Sequence, residues 1–425
     1  MEELRTTALH RWHLDQGANM AHFGLYDMPL WYHAGAKAEH LAVIEAAGVF
    51  DTSHMAVIGL RGKGALALLQ RCFSKDLGRC QGKDRGPLTA GRCVYGVFLA
   101  EDGTVIDDAI VYRLGEDSWM VVVNAGMGGI VARHLEDRPE ASGVQTIDYT
   151  DRIGKMDIQG PLAAKVLGRV LRDPQTVFAG MTYFSCKGGF GELIAPHPVT
   201  LLDGTPLLLS RTGYTGEFGF ELFTAGDRIV SLWQTVLAAG EEFAVLPCGL
   251  AARDSLRTGA VLPLSHQDIG PWKFANNPWL FALPWDDSGK SFSKDFIGGR
   301  GLLEDPVGEY TLPFAGFDPR KITVGKDTFV TNLQGDTIGQ VLTCATDMAI
   351  GRVGETIISV ATPAAEGRPE EFRPRGLSCG FVKVHGPLAA GDVVIITDGR
   401  RDIRVEIRAD IRPHRSARRP ITSML

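Results

Sequence analysis

Two adjacent acids, Asp107 and Asp108, stand inside an otherwise apolar run whose pattern predicts a strand over residues 105–112. Strand alternation puts Ile106, Asp108, Ile110 and Tyr112 on one face and Val105, Asp107, Ala109 and Val111 on the other. Each acid therefore has apolar neighbours, where a carboxylate is costly unless it is paired or hydrogen-bonded. Two readings follow. In the structural one, one acid meets solvent while the other caps a backbone amide; in the functional one, at least one carboxylate does chemistry in a cleft. A second set of candidates lies downstream. A glycine-studded stretch, residues 211–219, leads into a strand carrying Glu221, and a short helical pattern puts Leu250, Arg253 and Arg257 on one face. An arginine turned inward suits an anion; otherwise it snorkels or pairs with an acid such as Asp254.

Recognisable elements must hold these residues in place. Residues 93–99, 105–112 and 119–124 read as a meander of strands joined by Glu101-Asp102-Gly103 and Gly115-Glu116-Asp117 turns, an antiparallel region. Before it, residues 37–50 show helical spacing of Leu41, Ile44 and Val49, with Gly48 as the expected stop. A strand at 55–60 and a helical pattern carrying Leu66, Leu69 and Cys72 follow. Residues 207–210 and 220–223 predict strands, Asp227 an N-cap for the helix after it, and 249–258 a short helix. Residues 284–306 carry the loop signals of a domain junction, and short strand patterns beyond them predict a small all-β unit, interrupted by an exposed loop at 363–376.

Composition narrows the class of function. With 425 residues, 44% hydrophobic and 22% charged, the chain suits two or three globular domains. No apolar stretch approaches the roughly 20 residues of a membrane span. Residues 1–13 have the character of neither a secretory signal nor a transit peptide, so a cytoplasmic location is expected. The formal charge of -6 argues against a nucleic-acid partner. Arg404, Arg408, Arg412, Arg415, Arg418 and Arg419 nonetheless form a basic tail, suited to an acidic ligand or simply solvated. The seven scattered cysteines lack ligand spacing, so no metal site is expected and reduced thiols are the reading. Glycines 59, 62 and 64 do not form a nucleotide loop. His54 is read as structural.

Several segments, in order, carry a family resemblance. They are Asp27-Met28-Pro29, Glu39-His40-Leu41, Gly48-Val49-Phe50-Asp51, Ser53-His54-Met55, Val105-Ile106-Asp107-Asp108 and residues 121–125. Ser210-Arg211-Thr212-Gly213-Tyr214-Thr215-Gly216-Glu217, Gly219-Phe220-Glu221 and Gly249-Leu250 with Ala252-Arg253-Asp254 complete the set. Together they resemble the glycine-cleavage T-protein (aminomethyltransferase) family. The resemblance implies an α+β, three-domain cloverleaf-like fold with antiparallel sheets, two intertwined domains over residues 1–305 and a β-barrel-like domain over 306–425. It also implies an enzyme of one-carbon metabolism that passes an aminomethyl group from a lipoylated carrier protein to tetrahydrofolate with release of ammonia. Asp108 then falls beside the accepting folate nitrogens, where a carboxylate stabilises positive charge on the moving carbon. Glu221 matches the acid that grips the pterin donors, Arg253 a folate contact, and Tyr95, Tyr112 and Tyr214 the pocket lining. Tyr95 and Tyr112 read equally well as core. Arg415 is the tail residue expected to meet folate.

The chain departs from the family pattern in places. Tyr26 stands where tryptophan is usual, Thr258-Gly259 replace a familiar glutamate, and residues 263–285 carry Ser265-His266-Gln267-Asp268 with tryptophans 272, 279 and 285. These aromatics either reshape the donor pocket or fill a core. Two further readings therefore stand beside the first: a tetrahydrofolate-dependent demethylase acting on a small S-, O- or N-methyl donor, and a non-enzymatic folate-binding factor, whose usual Lys-Gly-Cys-Tyr-x-Gly-Gln signature is missing here.

Overall fold

A computed structural model describes residues 4–304 and 307–425. The expected domain boundary at 305/306 lies outside the described residues. The predicted meander forms as Arg92–Leu99, Val105–Arg113 and Ser118–Val123, and the sheet is completed by Ala56–Arg61 and Gln145–Asp148. All its pairings are antiparallel. Alternation gives it two apolar faces. Ala109, Val111, Val121 and Val123 pack on the helices Ala65–Cys72 and Gly128–Glu136, while Tyr112, Met120 and Val122 face the second sheet.

That second sheet has seven strands and is threaded through by the chain that builds the first. Gly48–Asp51 enters it, the chain leaves to build the whole five-stranded sheet, and Ile153–Gln159 returns to pair antiparallel with Gly48–Asp51. Gly219–Ala225 pairs on the other edge of Ile153–Gln159, followed by Leu208–Ser210 and Cys186–Phe190. Its outer face is covered by the helices Ala163–Val170 and Ile229–Gly240, with Trp233 fully buried between them and the strands.

Two boundary readings are corrected. The helix predicted over residues 37–50 runs Gly35–Glu45, and Gly48 opens a strand instead of ending the helix. Its lack of a side chain serves packing, because a Cβ there would sit 2.5 Å from the Cys248 sulfur. Asp227 does not cap the following helix; it lies in the 3-10 turn Gly226–Arg228, and Arg228 occupies the cap position without a side-chain bond.

The β-rich remainder closes into a six-stranded barrel of Glu309–Gly316, Phe329–Thr331, Thr337–Asp347, Leu377–His385, Val393–Thr397 and Asp402–Ile407. Thr356–Ser359 pairs outside it with Ile350–Val353. Residues 363–376 form the expected irregular segment, with one short turn at Ala364–Glu366.

A buried ionic junction ties the barrel to the rest. Arg412 donates to Glu217 at 3.2 Å and to Asp347 at 2.5 Å, and Asp347 also meets His40 at 3.0 Å. All four side chains are withdrawn from solvent. The Arg412 and His40 partners, working against burial, hold the Asp347 carboxyl far below the usual carboxylate range. Gly259 makes room for this junction, since a Cβ there would fall 1.8 Å from Asp347 Oδ2.

Removing Arg412 leaves two carboxylates buried without their shared cation, a loss of about 3–5 kcal/mol. Thermal melting of Arg412→Leu should show a large drop in midpoint, and a variant melting with the parent would contradict the junction.

Candidate functional site

One cavity of about 1790 Å³ opens between the two sheets and the barrel-side segments. This exceeds the roughly 300–1,000 Å³ of an ordinary small-ligand pocket. Asp108, Asn124 and Tyr95 line it from the five-stranded sheet, Glu221 from the seven-stranded sheet, and Arg253 from the helix Leu250–Gly259. Tyr214, His266 and Arg415 line it from connecting segments.

The two adjacent acids meet different fates. Asp107 is fully buried. It accepts hydrogen bonds from the Asn124 backbone N–H at 2.9 Å, the Asn124 amide at 2.8 Å and the Ser265 hydroxyl at 2.8 Å. The structural reading, an acid capping a backbone amide, describes Asp107 correctly. Asp108, on the opposite face, is turned to the cavity and not to open solvent. It accepts from Tyr95 Oη at 2.8 Å and from the Asn124 amide at 2.6 Å, leaving lone pairs free for a ligand. Burial, and then the neighbouring charge of Asp107, push the Asp108 carboxyl up to about 7. Asn124 thus bridges both acids from the end of the adjacent strand.

Opposite them lies a compensated row of charges. The register of the antiparallel pair sets Glu221 directly across from Asp157, and Lys155 lies two residues away on the same face. All three ammonium N–H groups of Lys155 are used, toward Thr52 Oγ1 at 3.0 Å, Asp157 Oδ1 at 2.8 Å and Glu221 Oε1 at 2.9 Å. Arg253 donates to Asp157 Oδ2 at 3.0 Å. Lys155 and Arg253 hold the Asp157 carboxyl below its ordinary range even though it is fully buried. Glu221 Oε2 accepts from Thr212 at 2.5 Å and Tyr112 at 3.2 Å. Three of the roughly four lone-pair sites of Glu221 are therefore filled, and one on Oε1 stays open. The other Arg253 N–H groups make no recorded bond among the described residues, and its guanidinium carbon stands 4.9 Å from the centre of the Tyr214 ring.

The structure separates the remaining candidates. Tyr95 and Tyr214 are half-buried in the wall, Tyr214 donating its hydroxyl to the Pro263 carbonyl. Tyr112 is wholly buried behind the wall, so its hydroxyl reaches Glu221 but not the cavity. Arg415 lines the cavity while donating to the Ala260 carbonyl at 3.0 Å and pairing with Asp410 at 2.8 Å. The basic tail is not one patch: Arg412 is buried in the ionic junction, and Arg408 pairs with Glu406. Arg257, at the cavity wall, is taken up by ion pairs with the buried Asp268 and with Asp254. Among the tryptophans, Trp279 fills a core against Phe381, Trp272 lies under Lys383 and Trp285 packs on Phe292. The aromatic that this segment adds openly to the wall is Phe281, 60% exposed beside Tyr95.

Asn124, Lys155 and Asp157 escaped the reading from sequence. A signal for the last two exists: Lys155, Asp157 and Gln159 recur at every second position of an otherwise apolar strand, which puts three polar side chains on one face. His54 also lines the cavity, in edge contact with Phe23. Burial pushes its imidazole down to about 4, so it is neutral.

Comparison with known proteins follows the same lines. The family profile described as "GCVT N-terminal domain" matches residues 9–274. An aminomethyltransferase of Symbiobacterium thermophilum is 34% identical over 345 residues, 80% of this chain and 86% of that protein. One from Streptomyces coelicolor is 34% identical over 359 residues, 82% of this chain and 88% of its own length. The crystal structure of glycine cleavage system aminomethyltransferase T from Bartonella henselae superposes with a TM-score of 0.72 at 24% identity, over 96% of this chain and 97% of that one, which shows the fold.

The raised Asp108 carboxyl has a consequence for stability. An unfolded aspartate loses its proton near pH 4, so between about pH 4 and 7 the native state keeps a proton that the unfolded chain has released, and stability falls as pH rises through that window. Asp108→Asn removes the penalty and should stabilise the ligand-free protein by about 1–3 kcal/mol at pH 8. The gain should vanish below pH 4. Melting curves across this range check both ends, and equal stability at pH 8 would mean that the carboxylate is ionised at no cost.

Proposed function

The chain belongs to the GCVT aminomethyltransferase family, and on that premise we propose that it moves a one-carbon unit from an aminomethyl-loaded lipoyl carrier protein to tetrahydrofolate, releasing ammonia. The observation that carries this reading is the convergence of Asp108, Glu221 and Arg253, from three separate elements, on one large cavity. The donor set suits a reduced folate. Glu221 offers an acceptor to a pterin N–H through Oε1, and a second donor replaces the 3.2 Å bond from Tyr112, the longest of the three it accepts. Arg253 presents unfilled N–H groups to the ligand's oxygens, and the Tyr214 ring beside it offers an apolar face. The remaining volume accommodates the donor's arm.

When bound, tetrahydrofolate supplies the two nitrogens that receive the carbon. The protein's part is electrostatic and positional. Asp108, fixed by Tyr95 and Asn124, sets a carboxylate where positive charge develops on the carbon in transit. Tyr95 fixes the rotamer of that carboxylate, and Phe281 narrows the space above Tyr95. Arg415, which lines the cavity, offers a cation for the ligand's carboxylate end.

The test combines purified protein, tetrahydrofolate and an aminomethyl-loaded lipoyl carrier, and follows ammonia and methylene-tetrahydrofolate. Asp108→Asn should retain tetrahydrofolate binding and lose about 10²–10³-fold in kcat. Binding of folate with no ammonia release by the parent protein would overturn the reading and leave transfer from a small methyl donor. Glu221→Gln should instead act on binding, weakening tetrahydrofolate about tenfold or more because a charge-assisted acceptor is lost. A calorimetric titration that finds no weakening would remove Glu221 from the pterin site.

A further inference from the structure

The turn at residues 264–269 brings a histidine to the acid pair. Asp268 accepts from the Leu264 backbone N–H at 2.9 Å and from Thr343 Oγ1 at 2.6 Å, and it forms a buried ion pair with Arg257. Gln267 donates to the Leu342 carbonyl at 3.0 Å and to Thr343 Oγ1 at 2.7 Å. On the other side Ser265 donates to Asp107. Between these anchors the His266 backbone is held at φ +61°, the left-handed region that favours glycine. Strain of this kind persists where the surroundings over-determine it, often at a working site. Here it sets an imidazole, 44% exposed, in the cavity wall with Nε2 3.5 Å from Asp107 Oδ1.

Of the groups touching the two acids among the described residues, Asn124, Ser265 and Tyr95 are neutral, and His266 is the one that can take up and give back a proton as a cation. The charged groups bearing on its ring are Asp107 and Asp108. The bond to Asp107, followed by the charges of both acids, raises its pKa against the effect of burial.

We propose that His266 is the proton carrier of this site, giving a proton to the group that departs from the donor carbon and recovering one from the nitrogen that accepts it. The proposal rests on the transfer reading above. In that reaction the bonds from the carbon to the donor nitrogen and sulfur break, and two bonds to the accepting nitrogens form. Two N–H protons are released at the acceptor and two are needed, one to complete ammonia and one to complete the thiol. No electrons are exchanged, and no proton is consumed overall. A group cycling between imidazolium and imidazole in the wall of the same cavity as Asp108 serves each handover, and Asp107 keeps the imidazolium form populated between them.

Two variants test this. His266→Gln keeps a polar side chain of similar length, and His266→Gly suits the backbone at φ +61° and should fold at least as well as the parent. Both should bind tetrahydrofolate within about threefold of the parent and lose about 100-fold in kcat, and the limb of the pH–rate profile assigned to this group should disappear. Added imidazole should restore part of the rate to the glycine variant. Independently of activity, the ring of His266 in the ligand-free protein should titrate above the ordinary histidine value by NMR and fall back in Asp107→Asn. Full activity in both variants overturns the proposal alone. So does a loss of rate with an unchanged pH profile and no imidazole rescue, or an ordinary titration that ignores Asp107→Asn. A parent protein that releases no ammonia overturns the transfer reading, and this proposal with it.

Discussion

The register between Gly219–Ala225 and Ile153–Gln159 places two carboxylates, Glu221 and Asp157, directly opposite each other inside the protein. Like charges at such a pair repel, and neither acid can reach bulk water for relief. The placement stands because Lys155 shares its ammonium between them and Arg253 comes from the helix Leu250–Gly259 to take the outer oxygen of Asp157. The row is self-compensating: two acids and two bases, with Thr52 and Thr212 filling remaining acceptors. A slip of one residue would turn Lys155, Asp157 and Gln159 away from these partners and drive the apolar set into their place. The same interaction that fixes the sheet therefore fixes Glu221 and Arg253 at the cavity.

The acid pair on the facing sheet is handled by a different means. The close hydrogen bonds to Asp107 and Asp108 come from neutral donors, with the titratable His266 beside Asp107, where Glu221 and Asp157 receive permanent cations, and the pKa of Asp108 rises while that of Asp157 falls. Divergent environments of this kind divide labour between carboxylates. The compensated row offers a fixed charge pattern for recognition. The under-compensated pair has a protonation state that responds to what enters, which suits a group facing charge that appears only during reaction.

Sequence disclosed much of this arrangement, unevenly and for identifiable reasons. The meander was legible because its strands alternate and its turns carry Gly-Asp signals, so the opposite faces of Asp107 and Asp108 follow from period two alone. Glu221, Arg253 and Tyr214 come from ordered motifs; nothing local shows that Lys155 will donate to Glu221, 66 residues away. Tyr112 shows the limit of motif transfer, since its ring belongs to the core between the sheets and only its hydroxyl touches the site's machinery. Gly48 misled because glycine reads as a helix stop, whereas its reason is the approach of Cys248, about 200 residues away and just past the strand Leu246–Pro247. The missing acid at 258–259 looked like a lost feature, and the carboxylate of Asp347 occupies that space from another part of the fold.

This last exchange bears on what the barrel contributes. Its strand Thr337–Asp347 supplies Asp347 to the junction with Arg412 and, a few residues earlier, Leu342 and Thr343 to the turn that carries His266. One strand thus docks the barrel and templates the edge of the cavity nearest the acid pair. Arg257 connects the two, reaching from the helix Leu250–Gly259 to Asp268 and Thr343. Because these groups are buried and charged, their geometry cannot drift without leaving a charge unpaired. The turn that departs from the family pattern therefore borders the acid pair, while the compensated row is anchored in the seven-stranded sheet.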